Sequence, residues 1–224
     1  MKYFQNMPKN EFTLLSRAQA LAGFTIGNLA RNADLLVPSD LKINKGWIGR
    51  LIEIYLGVIS YNKSEQDFID LGIELKTIPI DSLGNPTENT FICTASLIKN
   101  KNTTWRTSNI KNRLSKILWI PIEGDKNIPL KIRRIGRPFL WSPSIKEDMM
   151  LRKDWEEIMN LIIFGKINHI NKYTGLLLQL GAKTLNSKLL NKDIENKDMI
   201  ILTLPRKFYL KKFFTKIIIS GHHI

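Results

Sequence analysis

Three charged residues, Asp67, Glu74 and Lys76, are spaced so that acidic and basic side chains can meet at one point. Glu74 and Lys76 are two residues apart within residues 73–78, whose apolar and polar side chains alternate as in a β-strand. Side chains two residues apart leave a strand on the same face. Asp67 lies seven residues before Glu74, so a bend between them is expected to bring its carboxylate alongside the strand.

Such a group suits the metal-dependent hydrolysis of a phosphodiester. Two converging carboxylates repel each other unless a cation lies between them. Mg²⁺ prefers oxygen ligands, keeps several waters and takes its remaining contacts from substrate phosphates. A lysine beside the ion can orient or help deprotonate the attacking water and offset the charge of the pentacoordinate phosphorane. The three residues therefore predict a hydrolase that acts on phosphodiester bonds.

Glu53 is a fourth candidate because of its place in a helix predicted over Trp47–Leu56. Its helical neighbours form an apolar stripe, and a carboxylate beside a buried stripe is costly unless it is paired or bound to a metal. Two alternatives stay open at this point. Glu53 could be an exposed residue at the edge of the stripe, and Glu74 with Lys76 could be an exposed ion pair of little energetic worth.

The elements that must position these residues follow from periodicity and from capping residues. A helix is predicted over residues 11–21 with Gly23 ending it, and Thr25 is a suitable N-cap for a second, short helix. Ser144 and Glu147 form a capping-box pattern at the start of a long helix that ends near Gly165. The strand-like runs are residues 73–78, 91–97, 117–122, 176–180 and 199–204.

Helices followed by strands, a long helix and more strands predict an α/β or α+β domain with a mixed sheet, and we take α/β as the fold class. The chain of 224 residues and 25.9 kDa is 43% hydrophobic and 24% charged, which is ordinary for a globular protein with a sizeable core. We predict one domain over residues 1–224.

The charge predicts a polyanionic partner. The formal net charge is +14, and the basic residues are concentrated in the last three-fifths of the chain, whereas residues 1–98 hold 9 basic and 10 acidic residues.

The longest stretch without charges, residues 18–30, is too short to span a membrane, and the single cysteine, Cys93, cannot form an internal disulfide. No basic, then apolar order opens the chain as a secretory signal would. We therefore expect a cytoplasmic protein without a membrane segment.

Several segments strongly resemble the MutH family of methyl-directed DNA mismatch-repair endonucleases, and the resemblance runs from about residue 16 to 216. The matching segments are 45–49 (KGWIG), 51–54 (LIEI), 65–68 (EQDF), 72–79 (GIELKTIP), 81–84 (DSLG), 90–91 (TF), 118–124 (LWIPIEG), 140–143 (LWSP), 154–157 (DWEE), 202–206 (LTLPR) and 208–212 (FYLKK).

The resemblance implies a fold of the type II restriction-endonuclease class, with a mixed central sheet flanked by helices and two lobes around a DNA cleft. In this reading an N-terminal lobe of about residues 1–100 holds the metal site, and a C-terminal lobe of about residues 135–224 holds the DNA-reading elements. Asp67, Glu74 and Lys76 match the family's nuclease motif and Glu53 matches an additional active-site glutamate. Asp67 and Glu74 would be the ligands of Mg²⁺.

The activity that the resemblance implies is specific. Members of the family act on double-stranded DNA and cut one strand of hemimethylated GATC, 5′ to the G, when the adenine of that strand is unmethylated. They need Mg²⁺ and are activated by MutL after MutS has found a mismatch. We expect this chain to do the same as a monomer.

DNA contacts are expected at positions that match the family's DNA-binding residues, with Tyr209 against the adenine, where an added methyl group would be sensed. These positions are Lys45, Gly46, Glu88, Phe91, Arg113, Lys183 and Tyr209. Two positions depart from the family pattern. Arg113 replaces a lysine near the active site, and Gly181-Ala182-Lys183 stands where the family presents Arg-Pro-Lys to the bases. Because a base-contacting arginine contributes roughly 1–3 kcal/mol of discrimination, the second departure predicts weaker sequence reading or stronger dependence on MutL.

Three other functions are considered. A stand-alone restriction enzyme for GATC would share the fold, but family double-strand cutters are longer or dimerise. A catalytically silent DNA-binding adapter has no need to hold two carboxylates together. An RNA-binding protein would fit the charge and leave the motif unexplained.

Overall fold

The computed structural model describes residues 6–41, 43–58, 65–95, 103–181 and 206–222. The described part contains six α-helices and six β-strands. The helices are α1 (Glu11–Gln19), α2 (Ile26–Asn32), α3 (Trp47–Leu56), α4 (Asn109–Leu114), α5 (Ile145–Ile163) and α6 (Lys212–Ser220). The strands are β1 (Glu74–Ile80), β2 (Thr90–Ala95), β3 (Ile117–Glu123), β4 (Phe139–Trp141), β5 (Leu178–Gly181) and β6 (Arg206–Leu210).

The chain divides into two compact units. The first unit comprises Met1–Glu88, Arg113–Ser142 and Thr215–Ile224, and the second comprises Asn89–Asn112 and Pro143–Phe214. Each unit has its own three-stranded sheet, with the strand order β1-β3-β4 in the first and β2-β6-β5 in the second.

The sheet of the first unit is mixed. β1 and β3 run parallel, with Glu74 opposite Ile117 at one end and Ile80 opposite Glu123 at the other, and β4 is antiparallel to β3. The side chains of residues 117–122 are all buried, as expected for a strand covered on both faces. The core of this unit forms where apolar side chains of α1, α2 and α3 pack with those of β1 and β3.

Helix α3 is delimited by glycines in the left-handed conformation at both ends. Gly46 precedes it with φ +84° and Gly57 follows it with φ +86°. A β-carbon at residue 57 would also lie 2.2 Å from the carbonyl oxygen of Asn6, so only glycine fits this helix end. The hydroxyl of the buried Tyr55 donates to the carbonyl of Leu29 at 2.8 Å and so ties α3 to α2.

The sheet of the second unit is antiparallel, and β6 is its central strand. α5 buries Leu151, Trp155, Ile158 and other apolar residues of one stripe. The capping box predicted for its start is confirmed, because Glu147 N donates to Ser144 Oγ at 3.3 Å and Ser144 N donates to Glu147 Oε2 at 2.7 Å.

A buried carboxylate ties α5 to the start of β5. Asp154 is 4% exposed, and its oxygens accept backbone N–H groups from three successive residues. Leu176 N lies 2.8 Å from Oδ1, and Leu177 N and Leu178 N lie 2.5 and 2.8 Å from Oδ2. Because buried backbone N–H groups need acceptors, this one side chain fixes where the strand begins.

The predicted α/β class with a mixed sheet is confirmed, and so are the helices expected near residues 11–21, at 47–56 and after Ser144. The antiparallel sheet, β4 and α6 were not predicted. The basic and aromatic residues of 206–214 were not predicted as elements either; they form β6, which lies between β2 and β5, and the start of α6. The strand expected at residues 199–204 lies outside the described residues, and the predicted lobe boundaries stay a prediction. No helix in the described ranges is long and apolar enough to cross a membrane.

Candidate active site

A tight bend before β1 brings Asp67 beside that strand. The chain passes through a short 3₁₀ turn, Ile69–Leu71, and through Gly72 with φ +64°, so that Phe68 N donates to the carbonyl of Ile73 at 2.9 Å. One oxygen of Asp67, Oδ2, then accepts the N–H of Leu75 at 2.7 Å. A bend therefore brings the side chain of Asp67 beside the strand that begins at Glu74, although the two residues are seven positions apart.

Glu74 is buried between two cationic side chains of the same unit. It is 1% exposed, and its Oε1 accepts from Lys76 Nζ at 2.7 Å and from Arg113 Nη1 at 2.5 Å. Arg113 is itself buried, and its Nη2 donates to the carbonyl of Glu65 at 2.9 Å. The alternative in which Glu74 and Lys76 form an exposed ion pair is wrong, because the side chains are only 1% and 14% exposed.

The second oxygen of Glu74 is the feature that fits a metal ion. Oε2 is buried, and no residue of the described chain donates a hydrogen bond to it. An unsatisfied buried acceptor costs about 1–3 kcal/mol of stability. Native proteins therefore keep such an atom where it serves a purpose, such as binding an ion. A cation that reached both Oε2 and the Asp67 carboxylate would satisfy it.

The ligand set suits Mg²⁺ better than a metal held by the protein alone. Within the described ranges, no cluster of three or more His, Cys, Asp or Glu side chains could hold an ion. Mg²⁺ commonly takes one or two carboxylates and completes its shell with water and substrate phosphates. The pair Asp67 and Glu74 fits that pattern, and Glu53 lies near enough for its charge to interact with both.

Burial and mutual repulsion raise the pKa values of two acidic groups in this cluster. Burial, followed by the charge of Glu74, raises the pKa of Asp67 from 3.8 to about 6, against the lowering effect of the Leu75 N–H and of Lys76. Burial, followed by the charge of Asp67, also raises the pKa of Glu53. The carboxylates are thus held together at a cost that a bound cation would relieve.

This cost predicts that replacing Asp67 with asparagine stabilises the metal-free protein near pH 7. Ionised Asp67 is disfavoured in the folded state, so the stability that its protonated form contributes is present below about pH 4 and is lost as the pH rises through about 6. In EDTA we expect Asp67→Asn to raise the free energy of unfolding at pH 7 by about 2–3 kcal/mol and to have little effect near pH 4. Urea unfolding over this pH range measures both.

Two controls define the result. Asp70→Asn changes an exposed carboxylate in the same bend and should leave stability unchanged at each pH. Added Mg²⁺ should stabilise the natural protein and not Asp67→Asn, because a ligand stabilises the state that binds it. An Asp67→Asn protein that is less stable than the natural one at pH 7 in EDTA would contradict the repulsion.

The other predicted site residues lie in several places. Lys45 and Gly46 are exposed in the turn that precedes α3, and Glu88 is exposed after β1. Arg113, expected to contact DNA, is buried against Glu74. Lys183 lies outside the described residues.

Phe91 and Tyr209 meet on one face of the second unit's sheet. They are opposite each other on β2 and β6, and their ring centroids are 5.8 Å apart with an interplanar angle of 65°. Lys207 Nζ lies 5.6 Å from the centroid of the Phe91 ring. On the other side of β6, Gln179 lies opposite Tyr209 and accepts from Asn89 Nδ2 at 2.9 Å. Aromatic, cationic and amide side chains therefore share this face.

Two structural residues were missed by reasoning from the sequence. Gln66 is 8% exposed and donates to the carbonyl of Gly72 at 2.7 Å, which supports the bend that carries Asp67. A lone glutamine gives no signal in a sequence. Asp154 did give a signal in the sequence, because it is a charged residue on the apolar stripe of α5.

Comparison with known proteins decides the family. The family model described as "DNA mismatch repair enzyme MutH" matches residues 56–154. The "DNA mismatch repair protein MutH" of Serratia proteamaculans is 52% identical over 215 residues, which cover 96% of this chain and 94% of that protein. The chain belongs to the MutH family. The proteins of the same name from Citrobacter koseri and Yersinia pestis are 50% and 49% identical over 217 residues, which are 97% of this chain and 94% and 95% of theirs. The resemblance to MutH read from the sequence is confirmed, and the matched region includes Asp67, Glu74 and Lys76.

Proposed function

We propose that this protein is a Mg²⁺-dependent, methylation-sensitive DNA endonuclease that nicks the unmethylated strand of hemimethylated GATC, 5′ to the G. Membership of the MutH family makes it a mismatch-repair endonuclease, as the sequence predicts. The observation that supports the chemistry is the buried carboxylate of Glu74, which is held at one oxygen by Lys76 and Arg113 and is unpartnered at the other among the described residues.

Each residue of the cluster has a distinct task in this proposal. Asp67 and Glu74 would hold Mg²⁺, which would polarise the scissile phosphate and lower the pKa of a bound water. Lys76 orients the attacking water and offsets negative charge as the phosphate becomes pentacoordinate. Arg113 is a positioning residue, because its planar guanidinium bridges Glu74 Oε1 and the carbonyl of Glu65 and so fixes the side chain of Glu74. Glu53 adds a carboxylate beside Asp67 and is the fourth active-site residue.

DNA binding is assigned to residues of both units. Lys45, Gly46 and Glu88 would contact DNA from exposed loops, and Phe91 and Tyr209 from the exposed face of the second sheet, with Tyr209 against the adenine. Lys183 would add a further contact. The excess of basic residues after residue 98 supports binding to phosphates, which supplies affinity without sequence information.

We further propose that the protein acts in the cytoplasm as a monomer, with MutL as its direct activator and MutS acting through MutL. Isolated nicking is then slow, since activation has to come from the repair complex. This also limits cutting at unmethylated sites that lie far from a mismatch.

Nicking of a covalently closed plasmid with a single GATC site tests the function. The plasmid is prepared unmethylated, hemimethylated and fully methylated, and is incubated with Mg²⁺ or EDTA, with and without MutL. We expect a nick in the unmethylated strand only, dependence on Mg²⁺, and acceleration by MutL. Mapping the 5′ end of the nick then locates the cut relative to the G.

The same assay separates the alternative functions. DNA binding without a nick, even with MutL, would overturn the catalytic proposal and favour the adapter. Double-strand cleavage of unmethylated sites that is independent of MutL would favour a stand-alone restriction enzyme.

A further inference from the structure

Arg50 is a cationic residue of α3 that lies about one helical turn before Glu53. Its Nη1 atom is 3.7 Å from Glu53 Oε2, and its side chain is 48% exposed, against 22% for that of Glu53. The guanidinium therefore borders the carboxylate cluster of the first unit and still faces solvent. Residue 50 falls between the segments 45–49 and 51–54 and belongs to neither, so the family resemblance does not supply a role for it.

The charge of Arg50 acts on the acidic side of the cluster. Burial, followed by the charge of Asp67, raises the pKa of Glu53, and Arg50 opposes this rise more strongly than Lys76 does. Glu74 has two other cationic partners. Arg50 is thus the positive charge at the outer edge of the cluster, next to its least buried glutamate.

The contact between Arg50 and Glu53 is weak enough to be exchanged for another one. The distance of 3.7 Å is longer than the about 2.7–2.9 Å of a charge-assisted hydrogen bond. An exposed ion pair of this kind contributes about 0.2–1 kcal/mol. Arginine binds a phosphate through two parallel hydrogen bonds, which are stronger than those between neutral groups. Arg50 would therefore lose little by exchanging the carboxylate of Glu53 for a phosphate.

The start of α3 is open to a large anionic ligand. A β-carbon built on Gly46 or on Gly49 would meet no atom within 4 Å among the described residues. The first turn of the helix holds no acidic residue, and Lys45 in the preceding turn is exposed. A DNA backbone can therefore approach Arg50 from this end of the helix without meeting an acidic side chain of that turn.

We propose that Arg50 binds a backbone phosphate of the strand that is cut, beside the scissile phosphate, and releases Glu53 in doing so. The inference rests on the proposed function, in which the scissile phosphate meets an ion held by Asp67 and Glu74. Arg50 and Glu53 are about 4.5 Å apart along the helix axis, and nucleotides of one strand are about 3.4 Å apart along the duplex axis. The arginine is thus spaced to reach a neighbouring phosphate.

The salt dependence of DNA binding tests the proposal. Affinity is measured by fluorescence anisotropy on a duplex with one GATC site and on a duplex of the same composition without it. Ca²⁺, which takes the same oxygen ligands, replaces Mg²⁺, and a gel checks that the duplex stays intact. We expect Arg50→Gln to bind both duplexes more weakly by the same factor, because a phosphate contact carries no sequence information. The advantage of the natural protein should shrink by about threefold between about 50 and 200 mM salt, as for the loss of one phosphate contact.

Steady-state nicking with Mg²⁺ and MutL gives a second readout. A phosphate that does not react is held equally in the ground state and in the transition state, so losing its partner raises KM and leaves kcat nearly unchanged. We expect KM for the hemimethylated plasmid to rise by about threefold or more in Arg50→Gln, with kcat changed by less than about twofold.

Two further variants control for charge and for general effects. Arg50→Lys keeps the positive charge and should retain the natural salt dependence, although it loses the planar fork and some affinity. Arg31→Gln removes an exposed arginine from α2 and should match the natural protein in affinity, in salt dependence and in KM.

Three outcomes would overturn the inference. These are an unchanged salt dependence in Arg50→Gln, a loss of affinity confined to the GATC duplex, and a fall in kcat at an unchanged KM, which would place the role of Arg50 in the chemistry of Glu53. Failure of the proposed function is distinct from these, because the natural protein would then not nick GATC plasmid, whereas the salt dependence is measured by binding alone.

Discussion

Glu74→Gln is expected to lower the rate of DNA nicking by about a thousandfold or more. The substitution keeps the shape of the side chain and removes the negative charge that Oε2 offers to a metal ion. Loss of a metal that stabilises transition-state charge removes several kcal/mol, and each 1.36 kcal/mol corresponds to a factor of ten in rate. The measurement is the nicking rate on hemimethylated GATC plasmid with Mg²⁺ and MutL at saturating enzyme.

Control variants distinguish a loss of catalysis in Glu74→Gln from a loss of folding. Glu123→Gln makes the same change at the far end of the neighbouring strand β3 and should retain full activity. Glutamine at residue 74 leaves Lys76 and Arg113 without their anionic partner, so its thermal unfolding and its DNA affinity are measured as well. Asp67→Asn provides a second test of the metal site, because we expect this variant to be more stable than the natural metal-free protein and still inactive. A Glu74→Gln protein that nicks at more than a tenth of the natural rate would contradict the assignment.

Asp154→Asn is expected to lower the free energy of unfolding by about 1–3 kcal/mol. The natural carboxylate accepts three backbone N–H groups with its two oxygens, and asparagine has one acceptor oxygen and a donor NH₂ group in place of the other. With the amide oxygen at the position of Oδ2, the N–H groups of Leu177 and Leu178 keep their acceptor, whereas the N–H of Leu176 faces the NH₂ donor; an unsatisfied group of this kind costs about 1–3 kcal/mol. Urea unfolding followed by tryptophan fluorescence measures the change.

Glu157→Gln is the matched control, since it alters an exposed carboxylate one turn further along α5. We expect that variant to differ from the natural protein by less than about 0.5 kcal/mol. If Asp154→Asn unfolds at the same urea concentration as Glu157→Gln, the three hydrogen bonds do not stabilise the unit. A change in the slope with urea would instead indicate that the denatured state had changed.

Much of the candidate active site could be predicted from the sequence, because the residues that form it lie close together along the chain. The alternation of residues 73–78 places Glu74 and Lys76 on one face, and the spacing to Asp67 is short enough to be closed by a bend. Ser144 and Glu147 cap α5 through contacts three residues apart. In each case the interacting groups lie within one strand, turn or helix.

The parts that could not be predicted depend on contacts between distant segments. Arg113 reaches Glu74 across 39 positions of sequence, and Tyr209 meets Gly181 only because β5 and β6 are paired. β6 was not predicted, because interleaved basic and aromatic residues do not show which strands pair with them, and its place in the middle of a sheet depends on β2 and β5. The local sequence pattern predicts that a strand or helix forms more readily than it predicts which other elements pack beside it.

The anchoring of β5 by Asp154 has an evolutionary consequence. The strand is fixed where it begins by a helix carboxylate and along its length by backbone pairing with β6, and neither of these contacts uses a side chain at its last position, Gly181. A substitution at that end that the Tyr209 ring accommodates would leave these contacts in place, and the Glu74 cluster belongs to the other unit. A change at this strand end could therefore alter the surface beside Tyr209 while the charged cluster around Glu74 stayed the same.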